Sequence, residues 1–489
     1  MLPTLLSSIS LISSLVVFAM GREKPHLIER FSPIVLFVQL VLAGFIAFQV
    51  AWKGTLEVGR FFYVDALGAI LLFIVTFIGF TSALYSFGYL RHELHRGTIG
   101  LNRIWKYHSL FHAFLFSMII AITTASPMLM WVAVEATTLA TAFLVSYYNR
   151  PLSMEAAWKY LIVNSAGLLM GLLGMFLLMA SAVRAGAGET ATWSELLHSG
   201  LVLDPLMVHT AFIFIVVGFG TKAGLAPMHT WLPDAHGRSP APISAMLSGV
   251  LLNVSLLAIL RAKAFVDLSG SSEFTGNILI GFGLLSIAIV SFTLLSQRHY
   301  KRLLAYSSVE NMGIIALGIG LGGIATFGAL MHLLYHALAK PLLFLSSGNI
   351  FMKYGSTLVE DVRGAFTTIP RSAFVFFAGF LAVSGMPPFG TFMTKFTILS
   401  ALFARNVWLG IITLLLLVVV FAGFFRHFSS MVFGKPSEGI KNGEEGFSTG
   451  IPLALLLSAL LVISWYLPET LRVLTQSATD FISPTNIIQ

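Results

Sequence analysis

The sequence has 489 residues, of which 57% are hydrophobic and 10% are charged, and it contains no cysteine. So few polar residues could not cover the surface of a soluble protein of this size. The composition therefore excludes a soluble globular protein and predicts a polytopic membrane protein. The lack of cysteine excludes disulfides, thiolate metal sites and iron–sulfur clusters within the chain.

Apolar runs long enough to cross a bilayer recur along the whole sequence. They lie near residues 2–20, 32–51, 62–89, 107–125, 127–148, 156–183, 206–236, 240–266, 275–296, 303–321, 324–353, 370–403, 406–433 and 450–472. Since one crossing takes about 20 apolar residues, we expect an all-α fold of about fourteen transmembrane helices. We interpret the first run as a span and not as a cleaved signal.

The net charge of +8 could indicate an anionic partner, but the placement of Lys and Arg gives a simpler cause. Most basic residues outside the predicted spans lie in loops that follow odd-numbered spans. By the positive-inside rule these loops are cytoplasmic, which puts both termini on the outer side. This bias explains the charge without a nucleic-acid partner.

Four lysines fall within or just inside predicted spans, which is unusual for this residue type. They are Lys159, Lys222, Lys340 and Lys395. A lysine at bilayer depth costs about 2.5–3.5 kcal/mol even on the lenient insertion scale. Because the sequence accepts this cost repeatedly, we expect these lysines to serve a function.

The seventh and twelfth predicted spans are interrupted midway. They contain FIVVGFGTKAGLAPMHTWLPDA, broken at Gly224 and Pro227, and AGFLAVSGMPPFGTFMTKF, broken at Pro387 and Pro388. Proline has no amide donor, so the carbonyl four residues earlier loses its helical partner and needs a hydrated or protein-enclosed site. Paired breaks, each beside a lysine, predict an inverted repeat over helices four to eight and nine to thirteen. The alternative is two simple proline kinks.

The stretch HLLYHALAKPLLF places His332, His336 and Lys340 four residues apart, near one face of a helix. A neutral imidazole accepts a proton on one nitrogen and releases one from the other, so this ladder can pass protons. Pro341 is expected to free the carbonyl of Ala337 for water or for Lys340. Buried structural histidines, or a zinc site lacking an evident third ligand, are the alternatives.

Two carboxylates lie inside predicted spans. Glu135 is the only charged residue of the fifth span, and we expect it to pair with Lys222, either as a switch or as a static ion pair. Glu310 lies on the tenth span and is expected to partner Lys340 or Lys395.

His229 and His236 lie where the broken seventh span nears the predicted cytoplasmic side. They could feed protons inward, or they could belong to the loop structure, with Asp234 as a helix cap. Charged residues near other span ends are expected to act as proton exits or as boundary anchors: Asp65, Arg426 and His427.

The chain has no GxxxxGK[ST] motif and no strand-borne GxGxxG, so no nucleotide site is predicted. Without such a site the chain lacks an evident energy source of its own.

Three stretches carry a family resemblance: KAGLAPMHTWLPDAHGRSPAPISAMLSGVLLN, HLLYHALAKPLLFLSSG and SGMPPFGTFMTKF. They resemble the antiporter-like membrane subunits of respiratory complex I, multisubunit sodium/proton antiporters and membrane-bound hydrogenases. AAWKYLIVNSAG and YSSVENMG look most like the F component of the hydrogenase-4 type.

The resemblance implies two inverted five-helix repeats with broken helices seven and twelve. It places a functional Glu on helix five and a Lys on helix seven, a His/Lys relay on helix eleven, and a Lys on helix twelve. The matching residues are Glu135, Lys222, His332, His336, Lys340 and Lys395.

The chain departs from this pattern on helix eight. Many relatives have a Lys or His in or beside the stretch that matches SGVLLN, where this sequence has Ser248 and Asn253. Neither side chain titrates, so either water bridges the middle of a proton wire or its two halves are separate.

We therefore predict a proton-translocating subunit of a membrane redox complex in the cytoplasmic membrane of a prokaryote, without a cofactor of its own. Iron–sulfur clusters, a nickel–iron centre or quinone are expected only in partner subunits. The alternatives are a sodium/proton antiporter subunit and a non-conducting structural subunit. The predicted units are residues 1–106, a first repeat 107–267, a second repeat 275–433, and 450–489.

Overall fold

The computed structural model describes residues 1–21, 23–198, 202–436, 439–444 and 448–483. Nearly all of these residues lie in helices. The helices in chain order are α1 (Leu2–Met20), α2 (Pro25–Lys53), α3 (Ala66–His95), α4 (Asn102–Thr123), α5 (Pro127–Val145), α6 (Pro151–Arg184), α7 (Trp193–His198), α8 (Pro205–Ala223), α9 (Leu232–Arg238), α10 (Ala241–Met246), α11 (Leu252–Asp267), α12 (Ser272–Thr293), α13 (Tyr300–Leu321), α14 (Gly323–Tyr354), α15 (Ala365–Thr368), α16 (Pro370–Ser384), α17 (Thr391–Arg405), α18 (Val407–Val432), α19 (Gly450–Trp465) and α20 (Glu469–Ile482).

A small antiparallel hairpin joins α2 to α3. Its strands are β1 (Leu56–Val58) and β2 (Phe62–Val64), with Leu56 opposite Val64. Asp65 follows β2 and caps α3, because its carboxylate accepts a 2.6 Å hydrogen bond from the amide of Gly68. The hairpin thus fixes where α3 begins.

The membrane-protein class and the all-α fold predicted from composition are confirmed. Among the described residues, eleven helices or joined helices are long and apolar enough to cross a membrane, or twelve if α19 and α20 form one bent span. Every predicted apolar run falls on a helix or on a helix pair. The count of about fourteen spans, the inverted repeat and the unit boundaries remain predictions.

The end of the last predicted span, 450–472, was wrong. Helix α19 stops at Trp465, and α20 leaves at an angle of 70° after Pro468. Proline restricts the residue before it to extended conformations, which ends the helix there.

Burial divides the helices into two groups. The most apolar windows of α1, α2 and α18 are only 28–33% buried, so most of their apolar side chains face outward. The corresponding windows of α10–α11 and α14 are 100% buried and that of α13 is 94% buried. Glu310 of α13 and the residues His332, His336 and Lys340 of α14 therefore lie inside the protein, where polar side chains of membrane proteins find partners.

Both predicted helix breaks are present. Helix α8 ends at Gly224 with φ 78°, and α16 ends at Gly385 with φ 80°. Glycine is needed at both positions because this left-handed conformation strains other residues, and because an added Cβ would lie 2.6 Å from Leu232 and 2.7 Å from Lys395. The prolines Pro227, Pro387 and Pro388 follow within the breaks.

A single π-helical turn, Leu247–Leu251, joins α10 to α11. It packs against α14 at Pro341, where a Cβ on Gly249 would lie 2.5 Å from the proline ring and 3.0 Å from the carbonyl oxygen of Ala337. The π turn and Gly249 thus let the two helices approach closely beside Lys340. Such turns occur frequently at functional sites.

Candidate proton relay

The first polar cluster links α5, α6 and α8. Lys222 donates hydrogen bonds of 2.6 Å to the hydroxyl of Thr138 and 2.8 Å to that of Tyr160. Thr138 donates in turn to Glu135 at 3.2 Å, and Ser165 donates to the other carboxylate oxygen at 2.6 Å. We call these five residues the Lys222 network.

The predicted direct contact between Glu135 and Lys222 was wrong. The hydroxyl of Thr138 stands between the carboxylate and the ammonium. Thr138 lies three residues after Glu135, so both side chains point to the same face of α5. One hydroxyl can accept from the lysine and donate to the carboxylate at once, which gives a proton a hydrogen-bonded step between them.

The second polar cluster is centred on Asn311 of α13. Its amide nitrogen donates to the carbonyl of Ser307 at 2.7 Å and to the carboxylate of Glu310 at 2.5 Å. Since both partners are acceptors, the amide oxygen must face His332, whose Nε2 lies 2.8 Å away. This orientation means that Nε2 of His332 carries a hydrogen.

His332 can bind or release a proton at its other nitrogen. Nδ1 lies 2.7 Å from the hydroxyl of Thr394, which also lies 3.0 Å from the carbonyl oxygen of Thr391. When the ring is neutral, the Thr394 hydroxyl donates to Nδ1. When the ring is protonated, Nδ1 donates and the hydroxyl turns to the carbonyl. Both protonation states thus keep their hydrogen bonds.

Lys340 and Lys395 complete this cluster at opposite ends. Lys340 donates to the hydroxyl of Ser307 at 2.5 Å and to the carbonyl of Leu304. Lys395 forms a salt bridge of 2.8 Å with Glu310, for which Lys340 and Lys395 were the two predicted partners. The Lys340 network is defined here by Lys340, Ser307, Glu310, Asn311, His332, Thr394 and Lys395.

Lys395 also closes the second helix break. Its ammonium donates to the carbonyl of Val383 at 3.1 Å, which is the carbonyl that Pro387 leaves without a helical donor. The lysine stem crosses Gly385, where a side chain would collide with it. At the first break a neutral group does similar work, because the indole of Trp231 donates to the carbonyl of Thr221 at 2.8 Å.

Of the two partners expected for the carbonyl of Ala337, water and Lys340, the lysine does not bind it. Helix α14 runs unbroken through Pro341, and Lys340 turns instead to Leu304 and Ser307 of α13. The ladder on α14 is therefore held by a neighbouring helix.

Within the described residues, no direct hydrogen bond joins the Lys222 network to the Lys340 network. The segment α10–α11 lies between them, with Leu252 near Gly224 and Gly249 against Pro341. Ser248 on this segment bonds to Ser308 of α13 at 2.7 Å. Asn253 donates to the carbonyl of Gly249 at 2.9 Å.

Three buried polar side chains near this gap have atoms without a hydrogen-bond partner among the described residues. His236 and His336 have two free ring nitrogens each, and Asn253 has a free amide oxygen. His236 is fully buried, with its ring 5.2 Å from that of Phe344, one turn beyond Lys340. Buried polar groups of this kind are commonly satisfied by ordered water.

Lys159 lies within the candidate span Pro151–Arg184, as predicted, but it is not buried. Its side chain is 51% exposed and pairs with Glu155 at 2.6 Å and with Asp234 at 3.4 Å. Asp234 lies within α9 and also forms a salt bridge of 2.6 Å with Arg302, so it is an ion-pair partner and not the expected helix cap. His229 is nearly buried beside the ring of Tyr306.

Asp65 holds two elements together. Besides capping α3, it forms a salt bridge of 3.0 Å with the fully buried Arg261 of α11, which also donates to the carbonyl of Ile122. These contacts are those of a boundary anchor. Arg426 and His427 line a separate cavity of about 460 Å³ with Glu360.

Sequence reasoning missed the neutral members of both networks. The hydroxyl of Thr138 and the amide of Asn311 each link two titratable groups, and the hydroxyls of Tyr160, Ser307 and Thr394 each bind one. A usable signal was present, because Thr138 and Ser307 each lie three residues from a glutamate inside a span and share its helix face.

A second histidine pair also went unnoticed, on α4. His112 lies 3.1 Å from Ser13 and 2.9 Å from Ser32, and so ties α4 to α1 and α2. His108, one turn earlier, is buried with both ring nitrogens unpaired among the described residues. The i, i+4 spacing in an apolar helix, which drew attention to His332 and His336, is the same signal.

Two family models match parts of this chain. Residues 124–422 match the family described as NADH:quinone oxidoreductase/Mrp antiporter, TM, and residues 53–97 match the complex I chain 5 N-terminus family. The hydrogenase-4 component F homolog of Methylacidiphilum infernorum is 39% identical over 382 residues, covering 77% of this chain and 80% of that protein.

Two solved structures share the fold. A chain of the archaeal membrane-bound sulfane sulfur reductase superposes with a TM-score of 0.85 at 26% identity, covering 98% of both chains. A chain of the Mrp complex from Dietzia superposes with a TM-score of 0.83 at 20% identity, covering 99% of this chain and 98% of that one. With its two broken helices and buried lysines, the chain belongs to the NADH:quinone oxidoreductase/Mrp antiporter family of membrane subunits.

Proposed function

We propose that the chain carries protons across the membrane through the Lys222 and Lys340 networks. The observation that supports this most directly is the side-chain hydrogen bonding within each network. It joins Glu135, Thr138 and Lys222 in one network, and Lys395, Glu310, Asn311 and His332 in the other. Each network ends at a lysine beside a helix break. Hydrogen-bonded files of titratable residues inside the bilayer are typical of proton pathways.

The electrostatic attraction between Glu135 and Lys222 is similar in size to the energy needed to move one proton across the membrane. Two unit charges about 6 Å apart, as across one bridging hydroxyl, attract by about 3 kcal/mol at an effective dielectric constant of 20. Moving one charge against 100 mV costs about 2.3 kcal/mol. Protonation of Glu135 would cancel its attraction for Lys222, and the energy change would match that needed to load or unload one proton.

Water is proposed to join the two networks. His236, His336 and Asn253 offer unpaired donors or acceptors near α10–α11. An ordered water needs two to four such partners. This bridge would replace the titratable side chain that many relatives carry where this chain has Ser248 and Asn253.

The driving energy is proposed to come from electron transfer in partner subunits of a membrane complex, where any iron–sulfur, nickel–iron or quinone site would lie. The likeness to a hydrogenase-4 component and to a chain of a respiratory membrane complex supports this placement. We further propose a prokaryotic cytoplasmic membrane, with both termini outside, from the distribution of Lys and Arg.

The test is proton pumping by the assembled complex in proteoliposomes, with a pH-sensitive dye inside. Lys222→Ala and Lys395→Ala should abolish electron-transfer-driven acidification, while Lys106→Ala, which changes an exposed lysine, should not. Normal pumping by both relay variants would overturn the proposal and favour a structural subunit. Uptake of radioactive sodium in exchange for protons, without electron transfer, would favour an antiporter subunit.

A further inference from the structure

A cavity of about 700 Å³ opens where the N-terminal ends of α6 and α13 meet the C-terminal ends of α3, α9 and α14. By the distribution of Lys and Arg this is the cytoplasmic end of the protein. The proton relay does not use the cavity, and its volume lies within the range of small-molecule sites, about 300–1,000 Å³.

The cavity wall is strongly basic. Its described lining holds one carboxylate, Glu93, against four residues with cationic side chains. These are Arg96, Arg150, Arg238 and Lys301. None of the four forms a salt bridge with a described residue. Like charges gathered without partners raise the local potential and attract an anion.

Of the three other titratable groups of the wall, Glu93 offsets one of the four positive charges, and Tyr148 and His299 offset none. Glu93 is nearly buried and accepts a 2.6 Å hydrogen bond from Thr98. Burial lowers the pKa of His299, and the charges of Arg238 and Arg302 lower it further, so its ring is neutral at neutral pH. The excess positive charge therefore comes from the Arg and Lys side chains alone.

Lys301 is the deepest of the four. Its residue surface is only 3% exposed, and no described residue accepts a hydrogen bond from its ammonium, which lies 5.2 Å from the ring centre of Phe351. A buried lysine is costly unless it is paired. An anion in the cavity would supply the missing partner.

We propose that this cavity binds a phosphate-bearing anion, supplied either by the headgroup of an acidic phospholipid or by a soluble phosphate compound. Arginine presents a planar fork of donors that fits phosphate oxygens, and lysine adds a point charge. Basic pockets between transmembrane helices on the cytoplasmic side bind acidic headgroups in this way. Apolar wall residues, among them Leu152 and Leu358, suit the glycerol and acyl part of a lipid.

An anion bound at this site would influence the Lys340 network through α13. Lys301 lies in the first turn of this helix, and the carbonyl of Leu304, three residues later, accepts a hydrogen bond from Lys340. An anion bound at Lys301 would place negative charge near that lysine and favour its charged form. Lipid composition would then influence the relay, although binding itself requires no proton transfer.

Binding is tested with the purified full chain in neutral detergent, by the shift in thermal unfolding temperature on titration with short-chain phosphatidylglycerol, short-chain phosphatidylcholine or inorganic phosphate. Phosphatidylglycerol should raise the midpoint and phosphatidylcholine should not. Arg238→Gln and Arg150→Gln, both at exposed side chains, should each weaken the apparent affinity by about fivefold, and the double variant by more than tenfold.

Lys106→Gln, an exposed lysine at the same end of the bundle, is the matched control and should bind normally. Lys301→Gln tests the buried lysine and should weaken binding if the variant folds. A phosphatidylglycerol response without a phosphate response identifies a lipid site, and equal responses identify a soluble phosphate site. The proposal fails if neither probe binds, or if Arg150→Gln and Arg238→Gln bind as tightly as the control.

Discussion

The ammonium of Lys222 reaches the carboxylate of Glu135 through one hydroxyl, that of Thr138. Each of the three groups has a further partner or is buried, so the geometry is fixed by its surroundings. Ser165 holds the far side of the carboxylate, and Tyr160 holds the far side of the ammonium.

Thr138→Val should therefore interrupt the Lys222 network while keeping the side-chain shape. Hydrogen bonds to charged groups contribute about 1.5–3 kcal/mol, and 1.4 kcal/mol is a factor of ten in rate, so we expect proton pumping to fall about tenfold. Thr138→Ser should retain most of it. Thr137→Val is the control, because the Thr137 hydroxyl donates only to the carbonyl of Val134. Equal pumping by the two valine variants would remove Thr138 from the pathway.

Thr394→Val should impair His332 without touching its contact to Asn311. The ring would lose the partner of Nδ1, so neither of its two protonation states would keep both hydrogen bonds. We expect pumping to drop about tenfold, with Thr394→Ser close to normal. Thr397→Val, one turn along α17 and bonded only to the carbonyl of Met393, should have no effect. A comparable loss in that control would point to helix damage.

Breaking the salt bridge between Glu310 and Lys395 should destabilise the protein. Glu310→Gln leaves the ammonium of Lys395 without its carboxylate partner and poorly solvated, since the side chains of Glu310 and Lys395 are 1% and 14% exposed. Removing one partner of a buried pair costs about 3 kcal/mol. The double variant Glu310→Gln, Lys395→Gln should lose much less than the two single losses added together, as measured by unfolding of the purified chain. Strict additivity would show that the pair does not interact.

Gly249→Ala should weaken the contact between α10–α11 and α14. The new methyl would overlap the ring of Pro341, and overpacking of this kind costs about 1–3 kcal/mol. Gly281→Ala on α12, where nothing lies within 4 Å of the added methyl, should not destabilise the chain. Thermal unfolding of the two variants side by side measures the difference.

Composition and hydrophobic runs were enough to predict the membrane class, the helical fold and both helix breaks. Those features depend on sums over many residues, or on glycine and proline, whose backbone preferences act locally. The end of α19 was missed because Pro468 overrides an apolar run that continues past it. The number of membrane crossings cannot be read from hydropathy alone when helices are bent or short.

The charged residues of the relay stood out in the sequence, but their pairings did not. Glu310 was assigned two possible lysines, and the structure selects Lys395. Glu135 and Lys222 were expected in contact, and a threonine separates them. Which side chains meet depends on helix rotation and on helix-to-helix distance, and small neutral residues such as Thr138 carry no distinctive signal in one sequence.

The ammonium of Lys395 donates hydrogen bonds both to Glu310 and to the carbonyl of Val383, which lacks a helical donor at the second helix break. The charge of Glu310 is therefore linked, through Lys395, to the position of the end of α16. If the ammonium of Lys395 moves relative to the carboxylate, the last turn of α16 gains or loses its hydrogen bond from this lysine, so a proton transfer at Glu310 can displace the end of a helix.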